Sequence, residues 1–503
     1  MATTVGSSGE VLRSERIAGG ILPKVLNSFD MVAIFVAIVL FISNSAVVTG
    51  AGAAAYIYWG LGFIAFLIPG AIVTGQLGLM FPGEGSIYVW TNKAFGPFLG
   101  FFAGFCAWWP GVLVMIATGD AVVSLIQQLN ANFLTDPWQQ GLVIIAVIAF
   151  SCLLSVIRFR VTQNFVNIVF LAYGGAILLI GLAGVLWLVT GHHPNTDLSF
   201  KASNWGLNSG NFTFFGLVVL ALLGIEVPLN MGVEINDVRA ITRYLLWGSV
   251  VVMVAYLIGT FGVMMAVKPA DQGNPSAIAE AVQNGFGVVG PVLGLIVNFI
   301  FIGFFIFNTA VYNYSFGRLL FVSGLDRRLP AFMSKVNANR VPWAAVVVQT
   351  IISALFTVIA FILAPLVIKL FKPTDLATVI YDILQAAVTV IWCVSMVILF
   401  IDVIIIRFKY SEAFARIRLA PFWVFVLCSV LGLIASFFGV YVTFTGPWTP
   451  LLNTLQWDLW IGGIGLLSLI VGISVFFIGQ ATIKSDVTDD EVIAQATGGA
   501  AGE

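Results

Sequence analysis

Glu226 stands inside an apolar run, in "ALLGIEVPLNMGVEI" (residues 221–235), with Pro228 two positions on and Gly224 and Gly232 to either side. A carboxylate in that company can bind an ammonium group or carry a proton. A lipid-facing helix has no use for it, because charge near the bilayer centre is costly and is kept for function. About 14 residues of the run precede Glu226, which places it roughly 21 Å along a helix at 1.5 Å per residue. Pro228 lacks an N–H and its ring clashes with the carbonyl of Gly224, while the glycines weaken a helix further. Two half-helices resolve the conflict, with Pro228 in the first turn of the second. Carbonyls freed at the end of the first half, together with Glu226, then form a site for an amine. The plainer alternative is a proline kink around a protonated, hydrogen-bonded glutamate.

A second interruption, "FISNSAVVTGAG" at 41–52, lies in an apolar region that runs from Met31 to Trp59, longer than one straight crossing needs. Ser43, Asn44 and Ser45 compete for backbone hydrogen bonds and favour turns and helix starts. The N–H groups that open a second half here, through Ala46, suit a carboxylate. Interrupted segments at corresponding positions of two halves point to a transporter's central site. Trp108 and Trp109 sit 11–12 residues into the third run; Trp108 is a candidate for a substrate-facing surface, with core packing as the plainer role.

The elements that must position these residues are membrane helices. The chain of 503 residues is 60% hydrophobic and 9% charged, far from the globular norm of about a quarter charged. Apolar runs of about 20 residues recur along it, whereas a β-barrel would alternate in short segments. Twelve spans are predicted, near 29–54, 60–80, 97–129, 139–157, 162–190, 212–237, 241–267, 288–322, 342–364, 377–406, 421–444 and 458–480. With both ends cytoplasmic, 18 of the 22 Lys and Arg residues fall inside and four (Lys201, Lys268, Lys369, Lys372) outside, in keeping with the positive-inside rule. Segment 1–28 is then a cytoplasmic N-terminal segment and 481–503, acidic and rich in small residues, a disordered cytoplasmic tail. The net charge of −1 offers no attraction to nucleic acid, and the four cysteines lack CxxC spacing and fit core packing.

Three ordered motifs resemble the amino acid–polyamine–organocation (APC) superfamily of permeases: "GLMFPGEGSIYVWTNKAFGPFLGFFAGF" (78–105), "LLGIEVPLNMGVEINDVRAITR" (222–243) and "GRLLFVSGLDRRLPAFMSKVNANRVPWAA" (317–345). "FPGEGSIYVW" is nearest to the branch of glutamate/GABA antiporters and polyamine importers. The resemblance covers about residues 24–410. It implies an all-α polytopic membrane protein of LeuT-type fold, with twelve transmembrane helices. Its two inverted five-helix repeats would be 29–190 and 212–406, with broken helices 1 and 6 and two peripheral helices at 421–480. It further implies alternating access in the plasma membrane for an amino acid or related amine. Carried over by position, Ser43, Asn44 and Ser45 take the carboxylate slot, Leu223, Gly224 and Ile225 the amine-binding break, and Glu226 the acidic position after it, a proton-coupling candidate. Leu220 stands where many relatives place an aromatic gate. Span 5 carries no lysine between Arg160 and Lys201, which excludes coupling through one there; Tyr173 lies near that region.

No GxxxxGK[ST], HExxH or CxxC is present, so neither ATP-driven transport nor a metal site is expected and no cofactor is needed. His192 and His193 read as solvated loop residues, and Asp120 and Asp402, near span ends, as facing water. Asp382 is a gate or coupling candidate. A proton-coupled transporter or exchanger leads; a ligand sensor without net flux is the alternative, and a membrane enzyme lacks a nucleophile–base pair.

Overall fold

A computed structural model of the chain describes residues 11–273, 276–367, 373–449, 451–482 and 488–498. It is all-helical. Among the described residues, ten helices are long and apolar enough to cross a membrane, and a bent pair adds an eleventh. In chain order the elements are α1 (Arg13–Ile21), α2 (Ser28–Val39), α3 (Ser43–Val48), α4 (Ala54–Met80), α5 (Ser86–Phe95), α6 (Pro97–Leu129), α7 (Pro137–Val156), α8 (Phe159–Val189) and α9 (Thr213–Ala221). They continue with α10 (Arg239–Ala266), α11 (Ala277–Gly285), α12 (Gly290–Leu325), α13 (Trp343–Leu366), α14 (Pro373–Lys409), α15 (Phe422–Thr443), α16 (Thr454–Thr482) and α17 (Asp489–Thr497).

The bent pair is α2 with Ser43–Ala51, at 44°. Asn27 caps α2, accepting from the N–H groups of Phe29 (2.8 Å) and Asp30 (3.0 Å). The helix stops at Val39 and restarts at Ser43, so the interruption is Leu40–Ile42, just ahead of the polar triplet. The apolar stretch 212–237, expected as two half-helices, differs in its second half. After α9 ends at Ala221, the chain makes only short 3₁₀ turns, Val227–Asn230 and Gly232–Glu234. An added Cβ at Gly232 would lie 2.3 Å from the Gly83 carbonyl oxygen, and Met231 bridges to Glu84. Packing against the 81–85 loop, with two glycines and a proline in ten residues, replaces a continuing α-helix.

The core is built where α12 and α14 cross α6 and where α10 packs on α2 and α8. Gly100 and Gly104 let α5 lie close over α6, where an added Cβ would meet Asn92 at 2.7 Å and Tyr88 at 3.0 Å; small residues permit such approach. All four cysteines are free thiols.

Three readings from the sequence change. Asp120 and Asp402 do not face water: they are 1% and 0% exposed. Both lie well inside their helices, since α6 runs on to Leu129 and α14 to Lys409. The Thr91 hydroxyl of α5 donates to Asp402 Oδ2 at 2.6 Å. Arg318, counted among the 18 cytoplasmic Lys and Arg residues, is wholly buried in α12. Finally, part of the tail expected to be disordered is helix α17. Thr488 and Glu491 form its capping box, Val492 and Ala496 are buried, and the Ala496 carbonyl accepts from Val336 N–H at 2.9 Å. Asp489, at its N-terminal end, pairs with Arg13 (3.2 Å) and Arg16 (2.9 Å) of α1, a placement the helix dipole favours.

Candidate substrate site

The two interruptions meet inside the bundle. Between them lies a small cavity of about 20 Å³, bounded by Asn44, Val114, Leu220, Leu223, Tyr312 and Trp392 among others. That is room for about one water molecule. Of the residues singled out in the sequence, Asn44, Leu220 and Leu223 line this space directly. Ser45 and Ala46 are buried beside it, the Ser45 hydroxyl donating to the Ile42 carbonyl at 2.6 Å. Ser43 is half-buried at the start of α3.

Gly224 adopts φ +100°, and an added Cβ would come within 2.4 Å of Ile38 and 3.2 Å of the Trp392 ring. Both the backbone angle and the space therefore require glycine. The turn it makes carries Ile225 toward Gly70 and Phe400, away from the cavity. Glu226 follows, 1% exposed. The Trp392 indole N–H donates to its Oε1 at 2.9 Å, while among the described residues its Oε2 has no hydrogen-bond partner. Since Trp392 lines the cavity, the carboxylate touches its wall through one indole.

The interrupted backbone is not left open. The Tyr256 hydroxyl donates toward the carbonyls of Val39 (2.8 Å) and Ala221 (3.1 Å) and accepts from Phe41 N–H (3.1 Å). Tyr173 does the same one residue on, donating to the Leu40 carbonyl (3.0 Å) and accepting from Ile42 N–H (2.9 Å). Tyr312 donates to the Ile38 carbonyl at 2.8 Å. The sequence reading offered the carbonyls that end the first half of 212–237 to a substrate, and the Ala221 carbonyl is one of them. Three tyrosines hold that carbonyl and the backbone groups of Ile38–Ile42, because buried backbone groups must be paired.

Trp108 is brought elsewhere. It lines a separate apolar cavity of about 190 Å³ with Phe105, Trp109, Leu320, Met333 and Val475, and its indole N–H donates to Gln349 Oε1 at 2.8 Å. Tyr256, Tyr312 and Trp392 were missed in the sequence. Tyr256 and Trp392 sit in apolar runs with nothing local to tie them to the interruptions.

A second polar cluster lies at the end of the bundle that holds α1 and α17. Arg318 donates through Nε to Glu234 Oε1 (2.9 Å) and through Nη2 to Oε2 (3.3 Å), with Glu84 Oε1 3.9 Å from the same Nε. The Glu234 carbonyl accepts from Val25 N–H (2.8 Å) and Leu26 N–H (2.9 Å), which ties the chain between α1 and α2 to the same point. Nearby, Asp326 accepts from the Ser14 N–H (2.8 Å) and Tyr88 hydroxyl (2.9 Å). Burial pushes its carboxyl up, with these bonds opposing.

Comparison with known proteins follows this geometry. Residues 26–469 match the amino acid permease family, so the chain belongs to it, an APC superfamily permease and a multi-pass membrane transport protein. It is 22% identical over 346 residues to a "probable agmatine/putrescine antiporter" of Lactococcus lactis subsp. lactis, covering 66% of this chain and 71% of that one. It is 24% identical to a branched-chain amino acid permease of Lactococcus lactis subsp. cremoris (66% and 76% covered) and 24% identical to a gamma-aminobutyric acid permease of Escherichia coli (72% and 77% covered). Among solved structures it resembles MhsT in complex with L-phenylalanine, at TM-score 0.58 and 15% identity, over 84% of this chain and 99% of that one. The likeness places the chain in a LeuT-like fold.

Proposed function

We propose that the protein is a secondary transporter that moves an amino acid or related amine by alternating access, coupled to protons or running as an exchanger. The observation that carries this reading is Glu226, buried beside the cavity with one oxygen held by Trp392 and the other without a partner among the described residues. A substrate ammonium or a proton satisfies that second oxygen, so the two compete for it and their movements are linked. In this reading Asn44 and the helix start at Ser43, Ser45 and Ala46 serve the carboxylate end, and Leu220, Leu223 and Gly224 the amine.

In this reading α2 and α3 form one broken span, and 212–237 supplies the twelfth, also broken. The two five-helix units are inverted repeats, and the lysine and arginine bias sets both chain ends in the cytoplasm of a cell whose plasma membrane holds the protein. The relatives described above support an amine-bearing substrate, and the branched-chain amino acid permease among them supports an apolar side chain. The walls supplied by Val114, Leu220 and Tyr312 agree with that.

The test is uptake by purified protein in liposomes, screened over amino acids and polyamines with and without proton or sodium gradients. Wild type is expected to move an apolar amino acid or an amine under a proton gradient or in exchange. Glu226→Gln is expected to lose the pH dependence of that flux. Flux of sugars or inorganic ions alone overturns the substrate class; an unchanged pH profile in Glu226→Gln overturns the role of the carboxylate.

A further inference from the structure

The cluster of Glu84, Glu234 and Arg318 carries one charge too many for its surroundings. All three side chains are 1% exposed or less. Arg318 commits Nε and Nη2 to Glu234 and Nη1 to the Tyr314 carbonyl at 2.8 Å, and its guanidinium lies 5.0 Å from the centre of the Phe159 ring. That bidentate pair is neutral and complete. Glu84 is left over. Its Oε2 accepts from the Val233 N–H at 3.2 Å, but among the described residues its Oε1 has no hydrogen-bond partner. The carboxyls of Glu84 and Glu234 flank the same Arg318 Nε, at 3.9 Å and 2.9 Å, and burial and the Glu234 charge, more than Arg318 offsets, hold Glu84 well above the ordinary carboxylate range.

The other charged and titratable groups around the 81–85 loop do not change this count. Glu15 of α1 packs near Gly83 and is paired with Lys93 of α5 at 2.7 Å. Tyr88 and Asp326 bond each other. Among the described residues, Arg318 is the cation within 4 Å of Glu84.

We propose that Glu84 is a second proton-binding residue of this transporter: its carboxyl holds a proton beside the Arg318–Glu234 pair, and that proton holds the α1–α17 end of the bundle closed. Two buried carboxylates beside a single guanidinium cannot both ionise cheaply, so the one that lacks the bidentate pair takes a proton. The proton supplies the donor that Glu84 Oε1 lacks. The cluster ties three parts that must separate for this end to open: the 81–85 loop, the turns at 227–234 and α12, with Val25 and Leu26 strapped to Glu234. Opening admits water, restores Glu84 to ordinary acidity and delivers its proton to the solution on that side.

The sign follows. The closed form has the raised carboxyl, so closure is fully present at low pH and is lost as pH rises through the range between the open-state and closed-state values. The inference rests on the alternating-access reading above, and its test does not require a known substrate. Leu26, wholly buried in the closed form, is replaced by cysteine in a chain whose four native cysteines are changed to alanine. Labelling by a membrane-impermeant maleimide is then timed in liposomes from the side of the chain ends, across about pH 5 to 8.

One linked proton gives a rate that rises by up to about tenfold per pH unit within the window. Glu84→Gln is expected to label slowly at every pH, while Glu84→Asp keeps a pH-dependent rise and shows that the site tolerates substitution. A wild-type rate flat in pH, a Glu84→Gln profile equal to wild type, or a rate set by sodium at constant pH each overturns the proposal. Glu226→Gln is expected to retain the labelling profile while losing pH-dependent flux. The two carboxylates therefore fail separately.

Discussion

Two regions of this bundle hide polar groups, and they do so by different means. At the central interruptions, backbone N–H and carbonyl groups of 38–42 and Ala221 are held by the neutral hydroxyls of Tyr173, Tyr256 and Tyr312, next to one carboxylate. At the α1–α17 end, a bidentate guanidinium–carboxylate pair, a second buried glutamate and a strap of backbone bonds lock together. Neutral hydrogen bonds contribute about 0.5–1.5 kcal/mol each and can be exchanged for bonds to a substrate at small cost. A buried charge pair is geometrically specific, and breaking one side leaves an uncompensated ion. The centre is built to re-pair its partners, and the end to be either shut or open.

The sharpest way to break that contrast is Arg318→Met. It strands the buried Glu234 carboxylate and is expected to cost about 3–5 kcal/mol, read as a fall in thermal unfolding temperature in detergent. Adding Glu84→Gln and Glu234→Gln to it is expected to recover most of the loss. If Arg318→Met melts with wild type, the end of the bundle is not held by charge.

Tyr256→Phe tests the centre. It leaves three backbone groups short of a partner and is expected to cost about 1–3 kcal/mol, with reduced uptake. An effect as large as that of Arg318→Met would erase the distinction between the regions. Gly224→Ala sharpens it from the other side, since a side chain at φ +100° against Ile38 is strained. The expected loss is about 1–3 kcal/mol, with uptake falling more than stability if the Gly224 turn shapes the site. The smallest effect is expected from Ser14→Ala, which removes one hydroxyl bond to Asp326 and is worth about 0.5–1.5 kcal/mol. A larger fall in melting temperature would make α1 a principal brace rather than an accessory one.

Much of the plan is written locally. The apolar runs declare the membrane helices, and Gly224, Glu226 and Pro228 declare that the sixth run cannot continue as a helix, because each acts on its own backbone or on carbonyls a turn away. The three motifs declare the family for the same reason: they are contiguous. What lay beyond reach is pairing at a distance. Arg318 and Glu234 are 84 positions apart, Glu84 and Val233 149, and Trp392 and Glu226 166. No periodicity links them, so the charge cluster, the tyrosine stitching and the indole on Glu226 come from tertiary packing alone.

The same limit explains the misplacements. Trp108 has the depth expected of a substrate-facing residue, but depth does not specify the direction of a side chain, and α6 turns it toward Gln349. The acidic tail has the composition of a disordered segment, yet α1 and the loop after α12 present partners that order it. Sequence by itself determined which segments are apolar and which of them carry polar, glycine and proline interruptions. Tertiary structure decided which buried groups face one another, because burial makes an unpaired polar group costly and only the packed bundle selects its partner.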